Sequence, residues 1–234
     1  MRIDLTPRLR MVGKLIPAGV RLTDVGTDHA YLPAALIGEG KIPSAIAADL
    51  RQGPLARAKE TVRQAGLTGK VAFRLCDGLS GIRPDETDAV AIAGMGGETI
   101  AAILSAALWT RERGMPLILQ PMSSMPELRG WLQANGFCIE EERLAKEGDT
   151  LYTALLVRAG EMPPLSPAEL WAGKNNSDPL RGEWLDMWIA RTGRALEGMA
   201  RSRGEEVLPR RRALEEVREG LAKMKEEWEV CQQA

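Results

Sequence analysis

Cysteine and histidine are scarce in this sequence, and each scarcity removes a class of function. The three cysteines, Cys76, Cys138 and Cys231, are far apart and odd in number, which fits neither a disulfide framework nor a zinc site. His29 is the single histidine, and no metal centre is expected. No apolar run reaches the roughly 18 residues of a membrane-spanning helix, and the opening MRIDLTPRLR has no stretch of signal-peptide length. The expectation is a soluble, cytoplasmic protein with no membrane partner. Charge of one sign is also lacking: 31 Lys and Arg face 32 Asp and Glu, for a formal net charge of -1. No global field advertises a nucleic-acid partner, so any such binding must rest on a local patch. The 44% of hydrophobic residues suffices for a sizeable core in one large domain, or in one domain with an appendage.

What is present is a turn with chemistry in it. Leu22 to Pro33 reads LTDVGTDHAYLP: a short apolar run ends at Gly26, and a helical apolar pattern (Leu32, Ala35, Leu36) opens just after. A strand that turns into a helix brings the strand's carboxyl end and the helix's free N–H groups to one place, which suits a polar ligand. The acid that belongs with such a site lies roughly 20 residues on, at the end of the next strand. Asp49 closes the run Ala45 to Ala48 there.

Around this unit, strands and helices alternate. Thr6 and Pro7 read as the cap and first position of a helix with Leu9, Val12 and Leu15 on one face. Strands are expected at Arg21 to Val25, Ala45 to Asp49, Val71 to Leu75, Asp88 to Ala93 and Pro116 to Gln120, with helices at Tyr31 to Gly38, Arg51 to Ala65, from Gly97 to Leu108, and Pro126 to Asn135. That order implies an α/β fold, a doubly wound and mostly parallel sheet. Phe137 to Leu144 and Leu151 to Ala159 have only a Gly- and Asp-bearing turn between them, so they read as an antiparallel hairpin. Seven strands with that ending point to the class I methyltransferase variant of the Rossmann-like sheet.

Composition changes after Gly160, and three prolines between Glu161 and Pro167 read as a linker. The expected domains are residues 1–160 and 161–234. In the second, Leu214, Val217, Leu221, Met224, Trp228 and Cys231 form a coiled-coil-like seam. Leu185, Trp188, Thr192, Ala195 and Met199 form a weaker one. Two such helices, joined near Gly204, are expected to pack antiparallel. Arg191, Arg194, Arg201, Arg203, Arg210, Arg211 and Arg212 cluster around Glu197, Glu205 and Glu206 at its tip, a patch either for phosphate backbone or for solvent or another subunit.

The site's charges choose between ligands. Gly26 permits a tight turn and close backbone approach, but Asp28 and Ala30 stand where a dinucleotide fingerprint has further glycines. A diphosphate would be repelled by Asp28 beside Asp24, whereas S-adenosylmethionine, with its ammonium and sulfonium, is favoured by carboxylates. Asp49 can accept hydrogen bonds from two ribose hydroxyls, and Asp77 from an adenine amine. Each acid alone is more often a turn or cap residue; three at successive strand ends of one sheet edge point to a ligand. His29 sits inside the motif as a contact or positioning residue rather than an isolated structural one.

Asp24 to Pro33, Asp77-Gly78-Leu79, Ile92-Ala93-Gly94-Met95-Gly96-Gly97 and Leu117-Ile118-Leu119-Gln120-Pro121 together resemble the bacterial tRNA (adenine-22-N1)-methyltransferase family. The resemblance implies a class I methyltransferase domain followed by a small coiled-coil-like domain, with methyl transfer from S-adenosylmethionine to adenine N1 in tRNA. It implies cofactor contacts at Asp24, Gly26, Asp28, His29, Ala30, Asp49, Leu50, Asp77, Gly78, Leu79, Ala93 and Gly94. Asp28, Gly94 and Met95 are the expected catalytic set, with Met95 against the face of the base and Asp28 near the methylated, cationic ring. Arg8, Arg10, Tyr31, Gly96, Gly97 and Arg210 are the expected substrate contacts, the arginines on the tRNA backbone. The family pattern carries Asn after Gln-Pro where this chain has Met122. Two other readings stay open: a class I methyltransferase with a different acceptor, and a non-catalytic RNA-binding protein that keeps the fold. Oligomeric state is not legible.

Overall fold

The Thr6 hydroxyl accepts the Leu9 N–H and Pro7 occupies the first helical position, so the first helix, α1 (Pro7–Leu15), starts at its cap. In the computed structural model, which describes residues 3–174, 177–200 and 207–233, the next elements alternate. They are β1 (Leu22–Val25), α2 (Tyr31–Gly38), β2 (Ala45–Asp49), α3 (Gln52–Gln64), β3 (Val71–Leu75), β4 (Ala89–Gly96) and α4 (Gly97–Ser105). After these come α5 (Trp109–Glu112), β5 (Leu117–Ser123), α6 (Met125–Ala134), β6 (Phe137–Glu147) and β7 (Thr150–Ala159). The sheet order is β3-β2-β1-β4-β5-β7-β6. All pairs from β3 to β5 are parallel, and β7 is antiparallel to both of its neighbours.

Strand periodicity sorts the core into two layers. Leu22, Ala45, Ala47 and Ala91 face α1, α2 and α3 through Val12, Leu36, Ala58 and Val62. Val25, Ile46, Val90, Ile92 and Leu119 face the other way, onto Ile100 and Leu104 of α4 and Leu128 and Leu132 of α6. Helices on both faces make this a doubly wound, Rossmann-like sheet. Both faces being covered, the central strands are buried on both sides and run mostly apolar rather than alternating, Thr23, Asp24, Asp49 and Gln120 excepted.

Three strands, β4, β5 and β6, run further than sequence periodicity suggested, β6 as far as Glu147. A register shift between Ala93 and Met95 lets β4 continue to Gly96, pairing Met95 with Pro121 and Gly96 with Ser123. Glycines break an apolar pattern without ending a ladder when a bulge absorbs them. The helix after β4 ends at Ser105 rather than Leu108, and Trp109–Glu112 is a separate turn.

The chain divides into two compact units, Met1–Met162 and Pro163–Ala234. The second contains α7 (Pro167–Ala172), α8 (Arg181–Ala200) and α9 (Val207–Gln233). The helix α7 is opened by a capping box in which Ser166 accepts from Glu169 N and the Glu169 carboxylate reaches back to Ser166 N. The expected pair of helices is thus accompanied by a third, signalled by Ser-Pro-x-Glu. Arg181 is buried and donates to the Ala172 and Gly173 carbonyls, closing the end of α7. Helices α8 and α9 run antiparallel: Gly182 meets Trp228, Asp186 pairs with Lys225, and Gly193 lies beside Arg218. Leu185, Trp188, Thr192, Leu214, Val217 and Leu221 are buried in the seam, but Ala195 and Cys231 are exposed. Half-buried Leu196 takes the inward place expected of Ala195. Arg201, Arg203, Gly204, Glu205 and Glu206 of the expected basic tip lie outside the described residues.

Candidate functional site

The central strand β1 lies between β2 and β4, and the helices after these strands go to opposite faces, so a crevice opens at the strands' carboxyl ends. The loop entering α2 is built on unusual backbone: Gly26, His29 and Ala30 have φ of 73°, 68° and 53°. For the two non-glycine residues the left-handed region costs about 1–2 kcal/mol each. It is held there by Gly26 N and Thr27 N, which donate to Ala48 O at 2.8 and 3.0 Å. The His29 and Tyr31 rings also stack, with centroids 5.1 Å apart and an interplanar angle of 4°. Ala30, the N-cap of α2, supplies no side-chain cap, which leaves N–H groups of the first turn available.

Three acids stand at this edge in different electrostatic states. Burial pushes the Asp24 carboxyl up to about 6; the nearby Thr27 hydroxyl offsets part of this, and the Asp49 carboxylate adds to it. The Thr27 Oγ1 is itself buried and, apart from lying beside the Asp24 carboxyl, meets no hydrogen-bond partner among the described residues. Asp49 is buried at the end of β2, with Oδ1 accepting from Arg51 N at 2.7 Å; its second oxygen has no hydrogen bond among the described residues. Asp77 is exposed after β3 and bonds to no described side chain, and the turn continues through Gly78 at φ 52° to buried Leu79. Asp28 differs from all three: Arg57 of α3 donates to its Oδ1 at 2.7 Å, and His29 Nε2 lies 3.6 Å away. The repulsion expected between Asp28 and a diphosphate is therefore largely cancelled by Arg57. The negative character of the crevice rests on Asp24 and Asp49.

The other wall comes from β4 and β5. Gly94, at φ 80°, forms the bulge, and the Met95 side chain swings toward β1: a Cβ built on Gly26 would lie 2.1 Å from Met95 Cε. Gln120, fully buried at the end of the apolar run of β5, accepts from Gly94 N at 3.1 Å and from Arg8 Nη1 at 2.7 Å. Arg8 lines a cavity of ≈ 210 Å³ together with Asp24, Gly26, Thr27, Asp28, Tyr31, Ala93 and Gly94. Much of the expected cofactor and substrate set thus meets in one place. Leu50 is exposed at the rim.

The sequence profile of the methyltransferase-domain family matches residues 5–155. The tRNA (adenine(22)-N(1))-methyltransferase of Bacillus subtilis strain 168 is 38% identical over 162 residues, 68% of this chain and 67% of that protein. The chain belongs to the tRNA (adenine(22)-N1)-methyltransferase family. Its fold superposes on the crystal structure of the B. subtilis m1A22 tRNA methyltransferase with a TM-score of 0.83, at 30% identity over 96% of this chain and all of the other. A putative tRNA (m1A22) methyltransferase from Streptococcus pneumoniae, solved in complex with S-adenosyl-L-methionine, gives 0.79 and 34% over 92% of this chain and 100% of that one.

In this family member, several expected substrate contacts sit differently from the sequence reading. Gly97 is buried, and a Cβ there would lie 2.2 Å from the Ser124 carbonyl; it lets α4 approach α6 and is not a surface contact. Arg10 is engaged in an ion pair with Glu39. Arg8 turns into the crevice rather than outward. Tyr31 and Gly96 are accessible, and Arg210 lies exposed on α9, in the second unit. Met122 is 48% exposed. Gln120, Arg57 and Thr27 were not expected as site residues. Thr27 lay within the Asp24 to Pro33 motif and Gln120 was signalled as a polar residue ending the apolar run Leu117 to Leu119, whereas Arg57 carried no signal. Among the described residues no group of acids, cysteines and histidine is placed to hold a metal, and no helix is long and apolar enough to cross a membrane.

Proposed function

We propose that this chain methylates N1 of adenine 22 in tRNA, using S-adenosylmethionine bound at the Gly26 to Ala30 turn in the unit that begins the chain. The observation that carries the reading is the pair of buried acids, Asp24 and Asp49, at adjacent strand ends of a family member's switch point. The crevice residues fit that cofactor. The unpartnered Thr27 hydroxyl and the spare Asp49 oxygen are hydrogen-bonding groups left for a ligand. Gly26 has no side chain, which lets Met95 pack against the turn, and the buried Asp24 carboxyl favours a cationic ligand over a diphosphate.

When bound, the cofactor supplies an electrophilic methyl carbon on a sulfonium leaving group. Asp49 would accept from the two ribose hydroxyls and Asp77 from the adenine amine, and Asp24 would pair with the ammonium group. At Asp24 a bound cation would offset the burial that raises this carboxyl and so favour its ionised form. The target N1 carries an in-plane lone pair at neutral pH and needs no general base. The enzyme's task is alignment, and because N1 is on the Watson–Crick edge the nucleotide must leave its stack first. The Gly94 to Gly96 backbone offers amide groups and space for the base, in the place where many amino-methylating enzymes of this fold carry Asn/Asp-Pro-Pro-Tyr/Phe. Arg8 and Arg210 are read as phosphate contacts, the latter outside the crevice.

The test uses unmodified tRNA transcripts and labelled S-adenosylmethionine, with the modified position mapped by reverse-transcription stops. A stop at adenine 22 is expected. Asp49→Ala is expected to cut cofactor affinity about 100-fold or more, since hydrogen bonds to a charged acceptor contribute about 1.5–3 kcal/mol each. Cofactor binding without transfer to any tRNA would instead select a methyltransferase with another acceptor. Transfer to no acceptor at all would leave an RNA-binding protein that keeps the fold.

A further inference from the structure

Gln120 is buried, and its amide is fully used. The Oε1 accepts from Arg8 Nη1 at 2.7 Å and Gly94 N at 3.1 Å; the Nε2 donates to Pro121 O at 2.9 Å and to Met122 Sδ at 3.5 Å. The orientation is dictated by chemistry, because a guanidinium and a backbone N–H are donors only and the Pro121 carbonyl is an acceptor only. Gln120 therefore has nothing left for a substrate. What it does is join two parts of the crevice wall that the chain otherwise leaves independent: α1, through Arg8, and the left-handed bulge at Gly94.

Arg8 is the unusual member. It is half-buried and lines the cavity, yet its guanidinium has no carboxylate partner among the described residues. Its contacts are the neutral Gln120 oxygen and, 5.8 Å away, the Tyr152 ring. Glu147 lies against the Arg8 backbone N–H, not its side chain. A partly desolvated guanidinium with spare donors calls for an anion. Met122 fits the same scheme. A thioether accepts from Nε2 but donates nothing, so it leaves Oε1 entirely to Arg8 and Gly94.

We propose that Gln120 is a positioning residue for methyl transfer: by holding Gly94 and Arg8 on one oxygen, it sets the bulge that receives the target base at a fixed distance from a guanidinium that receives the same nucleotide's phosphate. The proposal rests on the function given above and assigns Arg8 to the reacting nucleotide rather than to the tRNA backbone at large.

The experiment compares Gln120→Ala, Gln120→Glu, Arg8→Ala and the Gln120→Ala/Arg8→Ala double variant of the full chain. Its readouts are kcat and KM for tRNA, S-adenosylmethionine affinity by calorimetry, and exchange of the Gly94 amide hydrogen. Gln120→Ala is expected to lower kcat about 100-fold, the scale of an ångström's misplacement, with cofactor affinity held within about twofold and Gly94 exchange accelerated. Gln120→Glu keeps an acceptor oxygen for Arg8 and Gly94 but loses the donor to the Pro121 carbonyl unless it is protonated, so it should recover part of the kcat and of the Gly94 protection, more as pH falls, a rescue that a general packing role would not give. Arg8→Ala should raise KM for tRNA about tenfold and reduce the slope of log affinity against log salt by about 1. The double variant should lose less than the product of the two single losses. Losses that multiply, a parallel fall in cofactor affinity, or unchanged Gly94 exchange in Gln120→Ala would each overturn the proposal. Should the wild-type chain methylate no tRNA, the parent reading fails by itself. The Gly94 exchange of Gln120→Ala against Gln120→Glu then still decides whether Gln120 holds the bulge.

Discussion

The two edges of the central sheet treat charge in opposite ways. At the amino ends of β1 and β4, Arg21 meets Asp88 through two guanidinium bonds of 2.9 and 2.8 Å and a backbone bond of 2.9 Å. Just inside, Thr23 and Thr87 bond to each other at 2.9 Å. The Arg21 side chain holds the Asp88 carboxyl down at about 2. At the carboxyl ends of the same strands, Asp24 is buried without a cation and pushed up to about 6, with a backbone turn beside it that occupies strained conformations. One edge satisfies its groups internally; the other leaves them for a ligand. That asymmetry, more than the presence of acids, marks the functional edge.

The comparison breaks most visibly at Asp24. Replacing it by Asn is expected to weaken S-adenosylmethionine binding about 100-fold while raising stability at pH 8 by on the order of 3 kcal/mol. The native carboxyl prefers its proton more than the unfolded one, so the cost of ionising it is full above pH 6. That cost fades as pH falls toward 3.8. The stabilisation by Asp24→Asn should therefore vanish by about pH 4, followed by thermal unfolding across pH. A variant that binds cofactor normally would return Asp24 to a purely structural role.

Not everything at the carboxyl edge faces a ligand, and Gly97 sharpens the line. Gly97→Ala is expected to destabilise the chain by about 1–3 kcal/mol through overpacking against the Ser124 carbonyl, measured by urea unfolding. Cofactor affinity in the folded fraction should stay unchanged.

The smallest effect belongs to the amino edge. Arg21→Ala should leave cofactor binding and methylation as they are and lower the urea midpoint only modestly, because the pair is solvent-accessible. Here the pH sign is reversed. A depressed folded pKa contributes stability above 3.8 that is lost as pH falls through about 2, so wild type and variant should converge in acid. If Arg21→Ala weakened cofactor binding as much as Asp24→Asn, the division between the edges would be wrong.

Much of the architecture was legible because its signals are local. Thr6-Pro7 announces a helix start, Ala45 to Asp49 a buried strand, and the turn at Gly148 an antiparallel return; each matched an element within a few residues. Where signals compete, the reading slipped. The glycines from Gly94 to Gly97 look like a loop, yet the ladder with β5 continues through the bulge. Ala195 and Cys231 keep a heptad spacing that the helices do not bury to the end. The site residues split likewise. Asp24, Gly26, Asp49 and Gly94 are announced by motif and strand-end position. The pairing of Asp28 with Arg57, 29 positions apart, leaves no trace in either neighbourhood.

By itself, then, the sequence determined the order of elements, the switch point and the identity of the acids at it, because apolar period and turn chemistry act over a few residues. Only the tertiary structure decided the state of each group: Asp24 buried and pushed up to about 6, Asp28 paired with Arg57, Gly97 enclosed, Arg8 turned inward onto Gln120. Electrostatics and close packing depend on which distant segments come within a few ångströms, and spacing along the chain does not carry that information.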